Sequence, residues 1–421
     1  MYRKNRYKIA IIGGGMSGCV SAFLLSKLGH DISLFEKKNK LGGTIKDIID
    51  KKEIYLNGPQ YFDTNTNWYK EIQKIKTFKR NFYSFNGNGL SRGKKINIFK
   101  SFNDLFGDEV ANDLFAQPIT NQRFKGIKRK KKITFLIERL SQYQNNVRKP
   151  IINWCKNFLK NFQYIHENCS AVLSITRIFF QNDKKKIKDL KTNNKNADNL
   201  LGLPVISQNK KFCIPKKGFD NFFYKFEKIL KKSINLKLNS NVKIYKSKNS
   251  DYTLNVNSKN IKVDKIVWAC NPIPLMNSLG YGSFDNLIIR VKIYCAKIKF
   301  KKKYDLENFY IQIFSKKTNI FRIYIYKLNG KFKIAIETFI KKDVDKIDKE
   351  YIYKILKKFK INIIILGNFV EQKEIRHVLI TKSDYDKFKK FEKEHYNSKL
   401  VSGGWHIFGR DQKIDHIMSK F

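Results

Sequence analysis

The chain has 421 residues, 42% of them hydrophobic and 14% aromatic, which is material for more than one domain and for a core that needs no disulfide staples. Lys and Arg number 86 against 36 Asp and Glu, a net charge of +50, yet the aromatic content excludes a disordered polycation. Such a field concentrates anions, whether nucleotide, nucleic acid or acidic lipid, and identifies none of them; Lys, Asn, Ile and Phe are abundant together, as an A/T-rich coding sequence would produce.

In chain order, the basic residues 2–8 and the uncharged residues 9–26 mimic a secretory leader, but the glycines between Gly13 and Gly18 would interrupt its apolar helix. A nucleotide-binding turn explains the same residues better. Residues 8–12 predict a buried strand that runs into Gly13-Gly14-Gly15-Met16-Ser17-Gly18, a full G-x-G-x-x-G. Val20, Phe23, Leu24 and Leu28 recur at helical spacing, Gly29 supplies a stop, and residues 31–35 predict a second buried strand ending at Glu36. In such a β-α-β unit Gly13 permits the tight turn, Gly15 lets the backbone approach a diphosphate, and Gly18 brings the helix close to the sheet. The diphosphate would sit on free amides at the helix start, around Met16 and Ser17, and Glu36 would accept hydrogen bonds from a ribose. To this point NAD and FAD are served equally.

Lys37-Lys38-Asn39-Lys40-Leu41-Gly42-Gly43-Thr44 then places a glycine pair shortly after the acid. Here the chain resembles the FAD-dependent oxidoreductases that include monoamine oxidases, protoporphyrinogen oxidase, phytoene desaturases and, more distantly, UDP-galactopyranose mutase. The resemblance implies FAD, closed over by Lys37, Gly42, Gly43 and Thr44; Thr44 stands where many members carry Arg. Residues 54–65 read as a strand broken by Gly58-Pro59 and resemble the family segment beside the flavin ring, with Phe62, Thr64 and Asn65 similar to the mutase stretch. Gln60 and Asp63 replace histidines of the mutase pattern, and the neutral amide of Gln60 cannot titrate near neutral pH. A plain Gly-Pro turn is the other reading.

From about 76 to 200 a helical insert is predicted, on spacings such as Phe135, Leu136, Arg139, Leu140 and Tyr143. Within it, residues 106–109 and 116–119 resemble family landmarks, the basic run 125–132 is either a solvated helix start or a dock for anionic lipid or glycan, and 183–199 is a surface loop. Residues 212–219 resemble the family's P-x-G-G turn, with Lys217 for the first glycine, before an amphipathic helix carrying Phe222, Phe226 and Leu230. At Val242 the resemblance implies a backbone contact with adenine. Residues 252–256 and 260–263 predict a meander, and 266–270 a buried strand returning to the central sheet.

Alternation from 287 to about 340 predicts an antiparallel sheet, with Asn329-Gly330 as its hairpin turn. Arg322 is a candidate for an anionic substrate group, or for an ion pair with an acid on a neighbouring strand. Residues 399–405 predict a strand meeting Gly403-Gly404, where the resemblance implies closure of the FAD site, and 411–418 a last helix; His406 reads as a proton carrier or as a packed ring. The six cysteines, Cys19, Cys155, Cys169, Cys213, Cys270 and Cys295, show no C-x-x-C pair or zinc spacing and read as reduced, mostly buried thiols.

These readings combine into an α/β protein: a Rossmann-like FAD-binding domain built discontinuously from 1–75, 205–280 and 396–421, and a mixed α+β substrate domain made of a helical insert over 76–204 and an antiparallel sheet over 281–395. The cofactor contacts implied are Gly13, Gly15, Met16, Ser17, Gly18, Glu36, Lys37, Gly42, Gly43, Thr44, Gly58, Pro59, Val242, Gly403 and Gly404; Gln60, Arg322 and Trp405 are the catalytic candidates, and no metal is expected. The implied activity is a two-electron oxidation of a small-molecule or carbohydrate-linked substrate, with an unidentified electron acceptor. A mutase-like non-redox flavoenzyme, a non-enzymatic membrane- or polyanion-binding protein and an NAD-dependent enzyme stay open. A cytoplasmic location is expected, with peripheral membrane contact left open and nucleic acid not expected.

Overall fold

The structure, a computed structural model, describes residues 6–86, 110–113, 211–246, 252–285, 287–301, 308–314, 320–340, 347–358, 361–379, 382–396, 399–402 and 409–421. β1 (Lys8–Ile12), α1 (Met16–Lys27) and β2 (Asp31–Phe35) form the predicted unit, with β1 and β2 parallel and Ile9 opposite Ile32. Successive side chains of a strand alternate in direction, so β1 sends Ile9 and Ile11 into one core and Ala10 and Ile12 into the other. That double burial is why the strand is apolar at every position after Lys8.

Next come the hairpin strands β3 (Asp47–Asp50) and β4 (Glu53–Leu56), then β5 (Phe62–Asp63), α2 (Asn67–Gln73), β6 (Phe82–Asn86) and β7 (Val110–Asp113). β8 (Lys211–Pro215) pairs between β5 and β6 and leads into α3 (Phe219–Leu230). Phe222 of α3 lies among Phe62, Phe78 and Phe82, ring centroids 5.0 to 5.8 Å away, and this aromatic cluster fixes the helix to the short strands. β9 (Asn235–Lys237) extends the parallel sheet beside β2, and β10 (Val242–Lys246), β11 (Tyr252–Val256) and β12 (Lys259–Ile261) make the antiparallel meander. β13 (Lys265–Trp268) returns beside β1 and is followed by α4 (Pro272–Ser278), whose start is capped by the Asn271 side chain.

The remaining described elements are β14 (Leu287–Phe300), β15 (Phe309–Phe314), β16 (Ile320–Leu328), β17 (Lys331–Phe339), α5 (Lys349–Lys358), β18 (Ile363–Leu379), α6 (Lys382–His395), β19 (Leu400–Ser402) and α7 (Gly409–Met418). The parallel sheet has the order β19-β13-β1-β2-β9, drawn from three separated stretches of chain, and the large sheet the order β18-β14-β17-β16-β15-β7. Asn329 and Gly330, with φ of 52° and 76°, make the tight turn between β16 and β17, as the sequence predicted.

Three elements depart from the sequence reading. β6 and β7 are strands within the stretch expected to be helical: Phe82 and Phe85 are buried against β8, and β7 extends the large sheet beyond β15. β18 escaped notice because Gly367 and the run Glu371-Gln372-Lys373-Glu374 break its apolar alternation; as the edge strand it exposes part of its length, and β14 holds its register across two irregularities. Residues 54–65 follow the reading of a strand broken at Gly58-Pro59: β4 and β5 are separated by a turn in which Gly58 has φ of 79°. The readings made for 106–109, 116–119, 125–132, 135–143, 183–199, Cys155, Cys169, Gly403, Gly404, Trp405 and His406 lie outside the described residues.

Candidate functional site

β1 delivers the chain to Gly13, whose φ of 107° turns it sharply and whose N–H donates to Phe35 O at 2.8 Å. Gly15, extended at φ −72° and ψ 178°, begins α1 with no side-chain cap and no acidic residue in the first turn of the helix itself. Gly18 lies against the turn: a Cβ there would stand 1.9 Å from Gly13 O, which explains why only glycine lets α1 sit this close to β1. At Gly15 the nearest atom to such a Cβ is Gly43 Cα at 4.0 Å, so open space lies over this residue.

Glu36 ends β2 buried, and its carboxylate is already at work within the protein. Oε2 accepts the Gly14 N–H at 2.6 Å and Oε1 the Lys38 N–H at 2.9 Å. The ribose role expected from sequence therefore adds to a clamp between the two loops; each carboxylate oxygen has a second lone-pair site for a hydroxyl donor. Ser240 N–H donates to Glu36 O at 2.9 Å, which brings the segment leading to Val242 alongside the end of β2. Val242 itself is buried in the same apolar cluster as Ala10, Ile12 and Phe35.

The second glycine pair forms the opposite rim. Gly42 N–H donates to Gly14 O at 2.8 Å, Gly42 and Gly43 have φ of 120° and 63°, and a Cβ on Gly43 would stand 3.1 Å from Gly15 Cα. Thr44 and Lys37 are exposed. The Thr44 carbonyl accepts the buried Gln60 amide at 3.4 Å, so the structure brings the 58–60 segment to the glycine loop. From below, Arg410 of α7 donates to Tyr61 O at 2.8 Å and Trp68 Nε1 to Asp411 at 2.9 Å, which seats the start of α7 beside the same segment.

One face of the large sheet closes the arrangement. Tyr326 OH accepts the Leu56 N–H at 2.8 Å, and Lys333, fully buried, donates to Glu53 at 2.9 Å and to Ile54 O. On that face, opposite each other in register, Arg322 and Glu337 form a buried ion pair at 2.9 Å. Of the two roles weighed for Arg322, pairing with an acid on a neighbouring strand is the one seen. Asp63, expected near the flavin ring, is buried and accepts the Asn65 N–H at 2.9 Å.

Sequence reasoning overlooked Gly14, where a Cβ would stand 2.6 Å from Leu41 and 2.9 Å from Glu36, although the glycine triplet signalled it. It also overlooked Asp47, which caps α3 through the N–H groups of Phe219 and Asp220; Cys270, read among the mostly buried thiols, is exposed and adjoins Gly13. Among the described residues no group of three or more His, Cys, Asp or Glu is arranged for a metal, and no helix is long and apolar enough to cross a membrane.

The donor set fits a dinucleotide: bare amides at a helix start, glycines on both rims, a carboxylate at the end of β2, and room above Gly15. Residues 11–75 match the family model of the NAD(P)-binding Rossmann-like domain. Over 38 residues the chain is 55% identical to 4,4'-diapolycopen-4-al dehydrogenase of Metabacillus indicus, covering 9% of this chain and 8% of that one. Over 85 residues it is 31% identical to UDP-galactopyranose mutase of Mycoplasma pneumoniae, 20% of each chain, so only a small part of these relatives is spanned. In fold it matches an inferred protoporphyrinogen oxidase from Exiguobacterium sp. 255-15, TM-score 0.56 at 11% identity, over 99% of this chain and 98% of the other. The chain thus opens with a Rossmann-like nucleotide-binding domain, has over nearly its whole length the fold of that Exiguobacterium protein, and is similar over short stretches to a diapolycopenal dehydrogenase and to a UDP-galactopyranose mutase.

Proposed function

We propose that the protein is an FAD-dependent oxidoreductase that removes two electrons from a small-molecule or carbohydrate-linked substrate. The observation that carries this reading is the uncapped start of α1, held open between the Gly13–Gly15 turn and the Gly42-Gly43 loop. When bound, FAD supplies the two-electron acceptor for oxidation of a C–N or C–C bond. The chain's own part is placement. The amides of Met16 and Ser17, with the backbone of Gly13, Gly15 and Gly18, hold the diphosphate, and Lys37, Gly42, Gly43 and Thr44 close over it. Glu36 accepts a ribose hydroxyl and the Val242 backbone reaches adenine; Gly403 and Gly404, outside the described residues, are the remaining cofactor contacts proposed from the sequence.

Gln60 is tied to the glycine loop through Thr44 O, and Leu56, just before Gly58 and Pro59, to the large sheet through Tyr326, so Gly58, Pro59 and Gln60 would border a bound flavin, with Arg322 as the candidate on the sheet. Gln60 donates through its amide nitrogen and leaves Oε1, buried and without a partner among the described residues, as an acceptor. Trp405, outside the described residues, is the remaining catalytic candidate from the sequence. The electron acceptor is a separate partner, and a cytoplasmic location, with peripheral membrane contact through the basic run, accompanies this reading.

An absorbance spectrum of the purified protein, followed by mass spectrometry of the released cofactor, tests the proposal. A flavin spectrum and the mass of FAD are expected; colourless protein that takes up no added FAD defeats it, and release of NAD turns it to a nicotinamide enzyme. The Mycoplasma pneumoniae match favours a second reading, a mutase-like enzyme without net redox. Isomerisation of a nucleotide sugar by the reduced protein, with no acceptor consumed, would select it.

A further inference from the structure

One charged side chain near the cradle plays no part in the reading above. Lys413 lies on α7, one turn beyond Arg410 and next to Ile414, which with Ile417 anchors the helix in the core. The helix start is pinned twice, by Arg410 on Tyr61 O at 2.8 Å and by Trp68 on Asp411 at 2.9 Å, so Lys413 has a fixed place. It is half-buried, and among the described residues it has no carboxylate within ion-pair distance and no hydrogen-bond acceptor. Its charge acts on the thiol of Cys270, and Cys270 Cβ lies 3.0 Å from where a Cβ on Gly13 would stand. The same thiol feels Glu36 and Lys37. Lys413, Cys270, Gly13 and Glu36 therefore share one neighbourhood at the turn.

An ammonium drawn out of water without a counter-ion is costly, and an anion brought to it relieves that cost. Of the side chains on the rims of the cradle, Thr44 is neutral, Glu36 is itself an anion and Lys37 is exposed to water. We propose that Lys413 is the side-chain cation for the diphosphate of the dinucleotide, a point charge reaching the turn from the C-terminal helix. The inference rests on the dinucleotide reading and adds to it a residue from the far end of the chain.

Titrations of apo protein with FAD, ADP and adenosine, for wild type, Lys413→Met and Lys413→Arg, test it. Lys413→Met should weaken FAD and ADP roughly 10- to 100-fold, the scale of a charge-assisted hydrogen bond, and leave adenosine unchanged. Lys413→Arg should restore binding to within a few-fold. Burial holds the Lys413 ammonium below the usual lysine range, and an anion favours its charged form. Wild-type FAD affinity should thus fall as pH rises through that lowered value, whereas Lys413→Arg, which does not titrate, should not show this fall. Cys270 and the neighbouring Glu36 and Lys37 are common to both proteins, so their difference isolates Lys413. If wild type binds FAD and Lys413→Met binds FAD and ADP equally well, the assignment falls while the cofactor reading stands. If wild type binds none of the three, the cofactor reading itself falls.

Discussion

Two alanine substitutions in the glycine turn separate ligand binding from folding. A Cβ on Gly18 would stand 1.9 Å from Gly13 O, backbone against helix, so Gly18→Ala must lift α1 from β1. Overpacking of that kind costs about 1–3 kcal/mol, and the Tm of the apo protein should fall by several degrees. A Cβ on Gly15 meets only Gly43 Cα, at 4.0 Å, an ordinary contact. As the residue that starts α1, Gly15 loses about 1 kcal/mol or less on conversion to alanine, so the apo Tm should barely move. The bound state reverses the ranking, because the new methyl at Gly15 occupies the space over which the diphosphate lies. With free FAD at 100 times its Kd, wild type gains about 2.7 kcal/mol of stability, and Gly15→Ala should forfeit most of that gain. Thermal unfolding with and without FAD, joined to a flavin fluorescence titration, reads both quantities. A Gly15→Ala protein with the wild-type Kd and the full FAD-induced rise in Tm would refute the placement of the diphosphate.

Glu36→Gln exchanges an oxygen that accepts a backbone N–H for an amide nitrogen that cannot, stranding either Gly14 or Lys38. It should lower stability by about 1–3 kcal/mol along with FAD affinity, and an unchanged urea midpoint would count against the clamp. Arg322→Met leaves Glu337 buried without its cation and should cost about 3–5 kcal/mol, with much of it recovered in Arg322→Met/Glu337→Leu; a double variant no more stable than the single one would contradict this. Burial pushes the Asp47 carboxyl up to about 6 from the ordinary 3.8, against the pull of the Asp220 and Phe219 N–H groups. A raised folded-state value means stability fully present below 3.8 and lost as pH rises through about 6, so wild-type Tm should fall across this window relative to Asp47→Asn; parallel Tm curves would exclude the effect.

The opening unit was legible because every signal in it is local. Strand, glycines, helix and terminal acid lie within residues 8–36, and each glycine answers a steric demand made by atoms close in the chain: Gly18 meets Gly13, and Gly43 meets Gly15 across the next loop. The Asn329-Gly330 turn was equally plain, since a two-residue hairpin with positive φ states its requirement in two letters. β18 was not legible: an edge strand tolerates exposure on both faces, and its register is written in β14, some 75 residues earlier by the pairing of Phe300 with Ile363 and Leu287 with Leu379.

The local pattern of residues thus decided the nucleotide turn, the alternation of the strands and the place of the hairpins, because backbone sterics and side-chain period act over a few residues. Tertiary structure alone decided which charges meet. Arg322 found Glu337 across two strands, Glu36 turned its carboxylate to the amides of Gly14 and Lys38, and Trp68 reached Asp411 from the other end of the chain. In a chain with 86 basic residues no spacing marks Lys413 from the rest; only the packing of α7 beside the glycine turn, which half-buries it with no carboxylate among the described residues at ion-pair distance, sets it apart.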